Sequence, residues 1–315
     1  MAFEALLGND RLKDNLTKSL AQGRISHFYL IAGPKGSGKR TLARLLSAAI
    51  LCKEQNAPCL RCASCRKVME NSHPDVISVT DPEHKNVAVK IVRQAREDVY
   101  IRPNEGNFKI YIFPQELGVE GQNALLKILE EPPAYGVFML LTNNPEQMLP
   151  TVRSRCTELS LQALPEEILK NKLIEDFPNE SQDAIAAAVA RSGGYLGQAK
   201  ELLEQGDAQI PQTEQFLAAY AQKNSLELTK TLAAMEKWKR EQILPVLEDW
   251  TAILEEALAY RSGVKALHPM AKEISAQRSP RELMQAITQL QKAMVYAQSN
   301  VSVGAICGYL AWELR

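Results

Sequence analysis

Between positions 33 and 41 the chain reads Gly33-Pro34-Lys35-Gly36-Ser37-Gly38-Lys39-Arg40-Thr41, the spacing of a phosphate-binding loop. Each residue type has a task in such a loop. Glycines let successive backbone N–H groups curl around phosphate oxygens, the helix N-terminus that follows favours negative charge, and the lysine reaches the terminal phosphates. The next position normally supplies a hydroxyl for magnesium, and here it is Arg40. Thr41 comes one residue later, about 100° further round the helix. ATP or ADP could bind through Gly33, Gly36, Gly38, Lys39 and Thr41, yet magnesium-assisted hydrolysis is not expected. Lys39 either contacts phosphate or survives as a surface relic.

Hydrolysis also needs a carboxylate closing a nearby strand, to orient magnesium, and usually a glutamate beside it to position water. The apolar run Lys109–Phe113 is the candidate strand, and Pro114-Gln115-Glu116 follows it. Proline has no carboxylate, glutamine is no base, and Glu116 lies two residues too far along. The competing reading is a working ATPase in which Thr41 and Glu116 restore metal binding. A small-molecule kinase would need an acidic strand end and an acceptor pocket, and it would leave the helical last third of the chain unexplained.

Cys52, Cys59, Cys62 and Cys65 form a C-x6-C-x2-C-x2-C cluster. Two overlapping C-x2-C pairs without an export signal suit a tetrahedral zinc site better than disulfides. The alternative is that some of them are buried small hydrophobes. With all four positions filled by sulfur, such a zinc would be structural. Cys156 and Cys307 stand alone and read as packing residues.

The elements that must position these groups follow from patterning. Lysine plus arginine equals aspartate plus glutamate, 37 each in 315 residues, so any DNA contact is expected to be weak or shared with partners. The first residues lack the pattern of a secretion signal and the apolar runs are too short to span a bilayer, which suggests a cytoplasmic chain. Strand-like runs at 28–32, 76–79, 109–113, 137–142 and 158–161 alternate with helical runs at 6–22, 41–51, 89–100 and 122–131. That alternation predicts an α/β core with a parallel sheet. Helical runs at 166–176, 181–191 and 197–205 predict a small helical lid, and 206–211 reads as a linker. Helices at 212–222, 225–238, 240–262, 280–298 and 303–314 complete an all-α C-terminal domain. The expected boundaries are 1–163 for the core, with the cysteine module 52–65 inserted, then 164–206 and 207–315.

The run Gln122-Asn123-Ala124-Leu125-Leu126-Lys127-Ile128-Leu129-Glu130-Glu131-Pro132-Pro133 resembles a signature of the clamp-loader ATPases, a branch of the AAA+ family. Other segments agree in order: Ile25-Ser26-His27, the cysteine cluster just after the loop helix, His73-Pro74-Asp75, Thr142-Asn143-Asn144, and Leu149-Pro150-Thr151-Val152-Arg153-Ser154-Arg155-Cys156. The matches cover roughly residues 1–206, and the C-terminal domain fits a collar by architecture only. The resemblance implies an AAA+ P-loop core, a lid and a collar. It places an arginine finger at Arg155, offered in trans to ATP on a neighbouring gamma/tau-type subunit, with a delta-type subunit, the sliding clamp and primed DNA as further partners. Gly197 stands where hydrolysing relatives carry a nucleotide-sensing lid arginine, which points again to a chain without its own turnover.

Several residues keep two readings. Arg153 either helps position Arg155 or is a solvated neighbour. Thr142 and Asn143 either sense phosphate or cap their strand, and His27 reads as a core or loop residue. Trp238, Trp250 and Trp312 read as core or collar contacts. Residues 1–50 carry eight Lys/Arg against three acids, an excess that could face a phosphate backbone or simply be solvated.

Overall fold

The computed structural model describes residues 3–84, 86–204, 211–263, 268–299 and 301–314. The described chain divides into two compact units. The first comprises Met1–Asn179 with Ser192–Glu201, the second Glu180–Arg191 with Leu202–Arg315.

The first unit is an α/β layer structure. Its strands are β1 (Phe28–Ala32), β2 (Val76–Ser78), β3 (Lys109–Phe113), β4 (Gly136–Thr142) and β5 (Thr157–Ser160), joined in the parallel order β2-β3-β4-β1-β5. β1, β3 and β4 are buried throughout, as apolar strands covered on both faces must be. Their side chains alternate between two cores. Tyr29, Ile31, Ile110, Ile112, Met139 and Leu141 face α1 (Asp10–Ala21), α2 (Lys39–Leu51) and α3 (Ala63–Met69). Phe28, Leu30, Tyr111, Phe113, Phe138 and Leu140 face α4 (Val89–Asp98), α5 (Val119–Glu130) and α6 (Pro150–Arg153). On that second face Phe138 stacks between Phe28 and Tyr111, with ring centroids 4.7 and 5.1 Å apart. Such a cross-strand ladder fixes register as well as burying area.

The expected strands and their parallel arrangement are present, with β2, β4 and β5 differing by one residue at their ends, and the larger differences lie in the helices. α1 starts at Asp10 instead of position 6, because Gly8 and Asn9 adopt left-handed backbone and hold residues 3–8 in turns. α2 starts at Lys39, two residues earlier than the pattern suggests, so the lysine is the first helical residue. α3 and α6 are short helices with no periodicity to announce them.

α7 (Glu166–Asp176) belongs to the first unit and α8 (Gln182–Arg191) to the second, while α9 (Leu196–Glu204) begins in the first. The linker expected over 206–211 lies outside the described residues, except Pro211, where α10 begins.

The second unit is helical among its described residues: α8, then α10 (Pro211–Ala221), α11 (Ser225–Ala234), α12 (Arg240–Tyr260), α13 (Pro269–Gln277), α14 (Pro280–Gln298) and α15 (Val303–Glu313). α13 was not expected from the pattern. Trp250 is the largest buried side chain; it stacks on Phe216 and donates its indole N–H to Thr213 Oγ1 at 3.1 Å. Trp238 packs at the margin of this core, whereas Trp312 is 70% exposed. No described helix is long and apolar enough to cross a membrane.

Candidate functional site

The sheet order puts the carboxyl ends of β1, β4 and β3 side by side, the usual place for a ligand site in an open parallel sheet. Gly33–Gly38 leaves β1, Pro114–Glu116 leaves β3, and Asn143 leaves β4. These are the three segments that the sequence marked separately, and the fold brings them together.

Lys39 is turned inward onto its own loop. Its Nζ donates to Gly33 O at 2.5 Å, Pro34 O at 2.8 Å and Asn143 Oδ1 at 2.9 Å. An ammonium has three N–H donors, and these partners use all of them. Burial pulls its pKa below the ordinary lysine value, partly offset by the nearby Glu116 carboxylate. Glu116 Oε1 accepts from Asn143 N at 2.7 Å and lies 3.2 Å from the Thr142 hydroxyl. Lys39, Asn143 and Glu116 therefore form one internal chain of contacts. Thr41, the substitute hydroxyl, is exposed on α2. Gln115 is engaged elsewhere: its Oε1 accepts from Asp81 N at 2.6 Å and its Nε2 donates to Asp81 O and His84 O at 2.8 and 3.0 Å.

The loop apex is occupied by the chain itself. Gly36 has φ 77°, and its carbonyl accepts the Gly197 N–H at 2.9 Å. A Cβ on Gly197 would lie 2.6 Å from Gly36 Cα, so two glycines are needed for this approach. Beside it Lys35 pairs with Glu201 of α9 at 2.7 Å. What remains is a cavity of about 200 Å³ lined by Lys39, Pro114, Gln115, Glu116, Leu141 and Asn143. That is below the roughly 300–1,000 Å³ of ordinary ligand pockets.

Arg155 sits at the opposite end of the sheet. Thr157 of β5 is in register with Tyr29 and Ser160 with Ala32, so the segment before β5 lies at the amino end of β1. At about 3.3 Å per residue, at least roughly 10 Å of strand separates Arg155 from its own loop. Its side chain is 40% exposed; one guanidinium nitrogen donates to Thr151 O at 2.9 Å and the other to Glu130 Oε1 at 3.3 Å. Arg153 is committed locally, to Glu146 at 2.7 Å and Glu158 at 3.0 Å, and these carboxylates raise its pKa further.

The four cysteines converge. Cys52 ends α2, Cys62 caps α3 by accepting from Cys65 N, and all four sulfurs lie within 4.8 Å of one another. A tetrahedral Zn²⁺ with Zn–S of about 2.3 Å needs sulfurs about 3.8 Å apart, so four thiolates so placed fit a metal ion by small adjustments. Backbone N–H groups of Arg61 and Cys62 draw the Cys59 thiol down to about 6. Cys156 and Cys307 lie apart from the cluster, and burial raises both thiols.

Four polar residues carry structural work that no local signal revealed. Asp75 is fully buried and accepts from Asn104 N, Glu105 N and Gly106 N at 2.5, 2.8 and 2.8 Å. Buried Gln122 donates to Leu117 O at 2.9 Å and accepts from Leu149 N at 2.6 Å, tying α5 to the segment that leads to Arg155. His27 donates Nδ1–H to Gly136 O at 2.8 Å, which makes it a strand-edge clasp. His73 accepts Asp75 N–H on Nδ1 at 3.1 Å, so Nε2 carries the proton toward Ser64 and cannot act as a base on that hydroxyl.

Comparison with known proteins places the site in a family. The family described as "DNA polymerase III, delta subunit" matches residues 8–165. DNA polymerase III subunit gamma of Buchnera aphidicola subsp. Schizaphis graminum is 27% identical over 289 residues, 86% of this chain and 79% of that one. DNA polymerase III subunit tau of Escherichia coli K12 is 29% identical over 85% of this chain, which spans 45% of that longer protein. Among solved structures, a gamma subunit-related protein from Thermotoga maritima aligns over 96% of this chain and 99% of its own, with 16% identity and a TM-score of 0.48.

Proposed function

We propose that this chain, which belongs to the DNA polymerase III delta-subunit family in the clamp-loader branch of the AAA+ proteins, is the delta-prime type of subunit. It does not turn over ATP itself. It supplies Arg155 to ATP held by a neighbouring gamma/tau subunit and, with a delta subunit, helps place the sliding clamp on primed DNA. The observation that carries this reading is the contrast between the two ends of one sheet. The phosphate lysine has spent its donors on Gly33, Pro34 and Asn143, while the guanidinium of Arg155 stands at the far end, part-exposed.

Physically the division of labour is economical. An arginine supplied in trans neutralises charge on the transferring phosphoryl group, an effect on the order of 10³–10⁵ in rate in GTPase activation. A subunit can therefore lose magnesium, base and nucleotide and still govern a neighbour's chemistry. Cys52, Cys59, Cys62 and Cys65 would hold a structural zinc, which supplies cross-linking and no step of the reaction. The unit with the sheet serves as the P-loop core and the C-terminal helices as the collar. Polymerase chemistry belongs to the holoenzyme around it.

The gamma and tau names of the relatives favour a second reading, a hydrolysing subunit in which Thr41 and Glu116 hold magnesium. Glu116 bound to Asn143 and the Gly36–Gly197 contact count against it. The deciding experiment is magnesium-dependent ATP turnover and equilibrium ATP binding by the isolated chain, beside turnover of the complex reconstituted with gamma/tau and delta. No turnover alone, with loss of complex turnover in Arg155→Ala, is the expected pair of results. Brisk turnover by the isolated chain rejects the reading.

A further inference from the structure

Resting on the in-trans reading of Arg155, we infer that Glu130 is a positioning residue that holds the guanidinium in the free subunit and competes for it with the neighbour's terminal phosphate. The two groups that touch Arg155 are unlike. Thr151 O, at 2.9 Å, is a neutral backbone carbonyl one turn earlier, fixed by the backbone bonds of α6 (Ser154 N to Pro150 O, Arg155 N to Val152 O). It aims the side chain without cancelling its charge. Glu130, at 3.3 Å, is a full negative charge on the last residue of α5, with its side chain 59% exposed.

The pair is built to open. A single long contact between exposed groups is worth little, whereas a phosphate presents several charged oxygens to the same fork of donors. The neighbouring arginine shows what a closed arrangement looks like. Arg153 is gripped by Glu146 at 2.7 Å and Glu158 at 3.0 Å, one carboxylate on each side. Among the described residues Arg155 has one carboxylate, on one side, at the longest of these distances. Removing that carboxylate should leave Thr151 to aim the arginine and should strip away its competitor.

The test uses the reconstituted complex, with ATP as the probe. Glu130→Gln keeps the size of the side chain and removes its charge. The expected result is a KM for ATP lowered about twofold to fivefold, the range an exposed ion pair supports, with kcat held. The difference should shrink as salt rises, because exposed charges are screened. In an Arg155→Ala background the same substitution should change nothing, since its effect runs through the guanidinium. An unchanged or raised KM in Glu130→Gln, or an effect that persists without Arg155, overturns the role of Glu130 and leaves the finger intact. If Arg155→Ala alone leaves turnover unchanged, the in-trans reading fails and this inference falls with it.

Discussion

Gly36 and Gly197 meet backbone to backbone, with the Gly197 N–H donating to the Gly36 carbonyl at 2.9 Å and no room for a Cβ on either. The apex of the phosphate loop is thus packed against its own chain through a carbonyl and a Cα, in a contact that leaves no side-chain room between the two segments. Gly197→Arg, which places at this position the residue type that the clamp-loader resemblance implies for a hydrolysing subunit, is expected to disrupt this contact and to confer no ATP affinity. Gly197→Ala should already cost about 1–3 kcal/mol, as overpacking does. Urea unfolding beside calorimetric titration with ATP checks both; tight nucleotide binding in the arginine variant would contradict the closed-loop reading.

Lys39→Ala separates a structural lysine from a catalytic one. Loss of three hydrogen bonds, one of them to Asn143, should lower stability by about 1–3 kcal/mol. Nucleotide affinity of the isolated chain should be equally negligible before and after the change. A wild-type chain that binds ATP and loses it on this substitution would restore the hydrolysing reading.

The two arginines of α6 and the turn after it should part company in a reconstituted complex. Arg155→Ala is expected to lower ATP turnover on the order of 10²-fold or more while assembly by gel filtration is unaffected. Arg153→Ala breaks ion pairs to Glu146 and Glu158, and its effect should be on local stability with turnover reduced less than tenfold. Equal losses would mean that Arg153 shares the chemistry.

Zinc removal tests the cysteine module. One zinc per chain is expected by elemental analysis, released by a chelator together with a thermal midpoint lowered roughly 5–10 °C, which corresponds to about 2–3 kcal/mol in a domain of this size. Cys62→Ser should do the same, because a serine hydroxyl can still cap α3 through Cys65 N but the change removes one thiolate from the metal's ligand set. Absence of bound metal in freshly prepared protein would leave the four thiols as packing residues.

Acid should expose the work of Asp75. Burial alone would raise its carboxyl, but N–H donation from Asn104, Glu105 and Gly106 brings it below the usual value. A carboxylate lowered on folding contributes stability that is present above the unfolded pKa, about 4, and is lost as pH falls through the folded one. Stability measured by urea should therefore decline below about pH 4, and Asp75→Asn, which turns N–H against N–H, should flatten that decline while costing about 2–4 kcal/mol at neutral pH. An unaltered pH profile in the variant would assign the acid sensitivity elsewhere.

Much of this protein is legible in the amino-acid order because its signals are local. Continuous apolar runs at 28–32, 109–113 and 137–142 can only be strands buried on both faces, and the structure has them at 28–32, 109–113 and 136–142. The short repeats of glycine and cysteine work the same way: ligand spacing within fourteen residues survives any fold that leaves the loop intact. The substitution of Arg40, Pro114 and Gln115 for a hydroxyl and two acids is likewise plain in the sequence, since chemistry absent from a side chain cannot be supplied by folding.

Only tertiary structure decided what the remaining groups do. Lys39 and Asn143 are 104 positions apart, Gly36 and Gly197 further still, and no pattern of period two or 3.6 encodes such a meeting. Sequence left Lys39 with two readings; the fold spent its three donors on the chain itself. The same holds for the arginines, alike on paper at positions 153 and 155. Among the described residues two carboxylates converge on the first and one loosely on the second, because the end of α5, the turn after β4 and the start of β5 all lie beside α6. Bond partners drawn from distant segments are set by strand order and helix packing, which is the part of a protein that a linear reading does not contain.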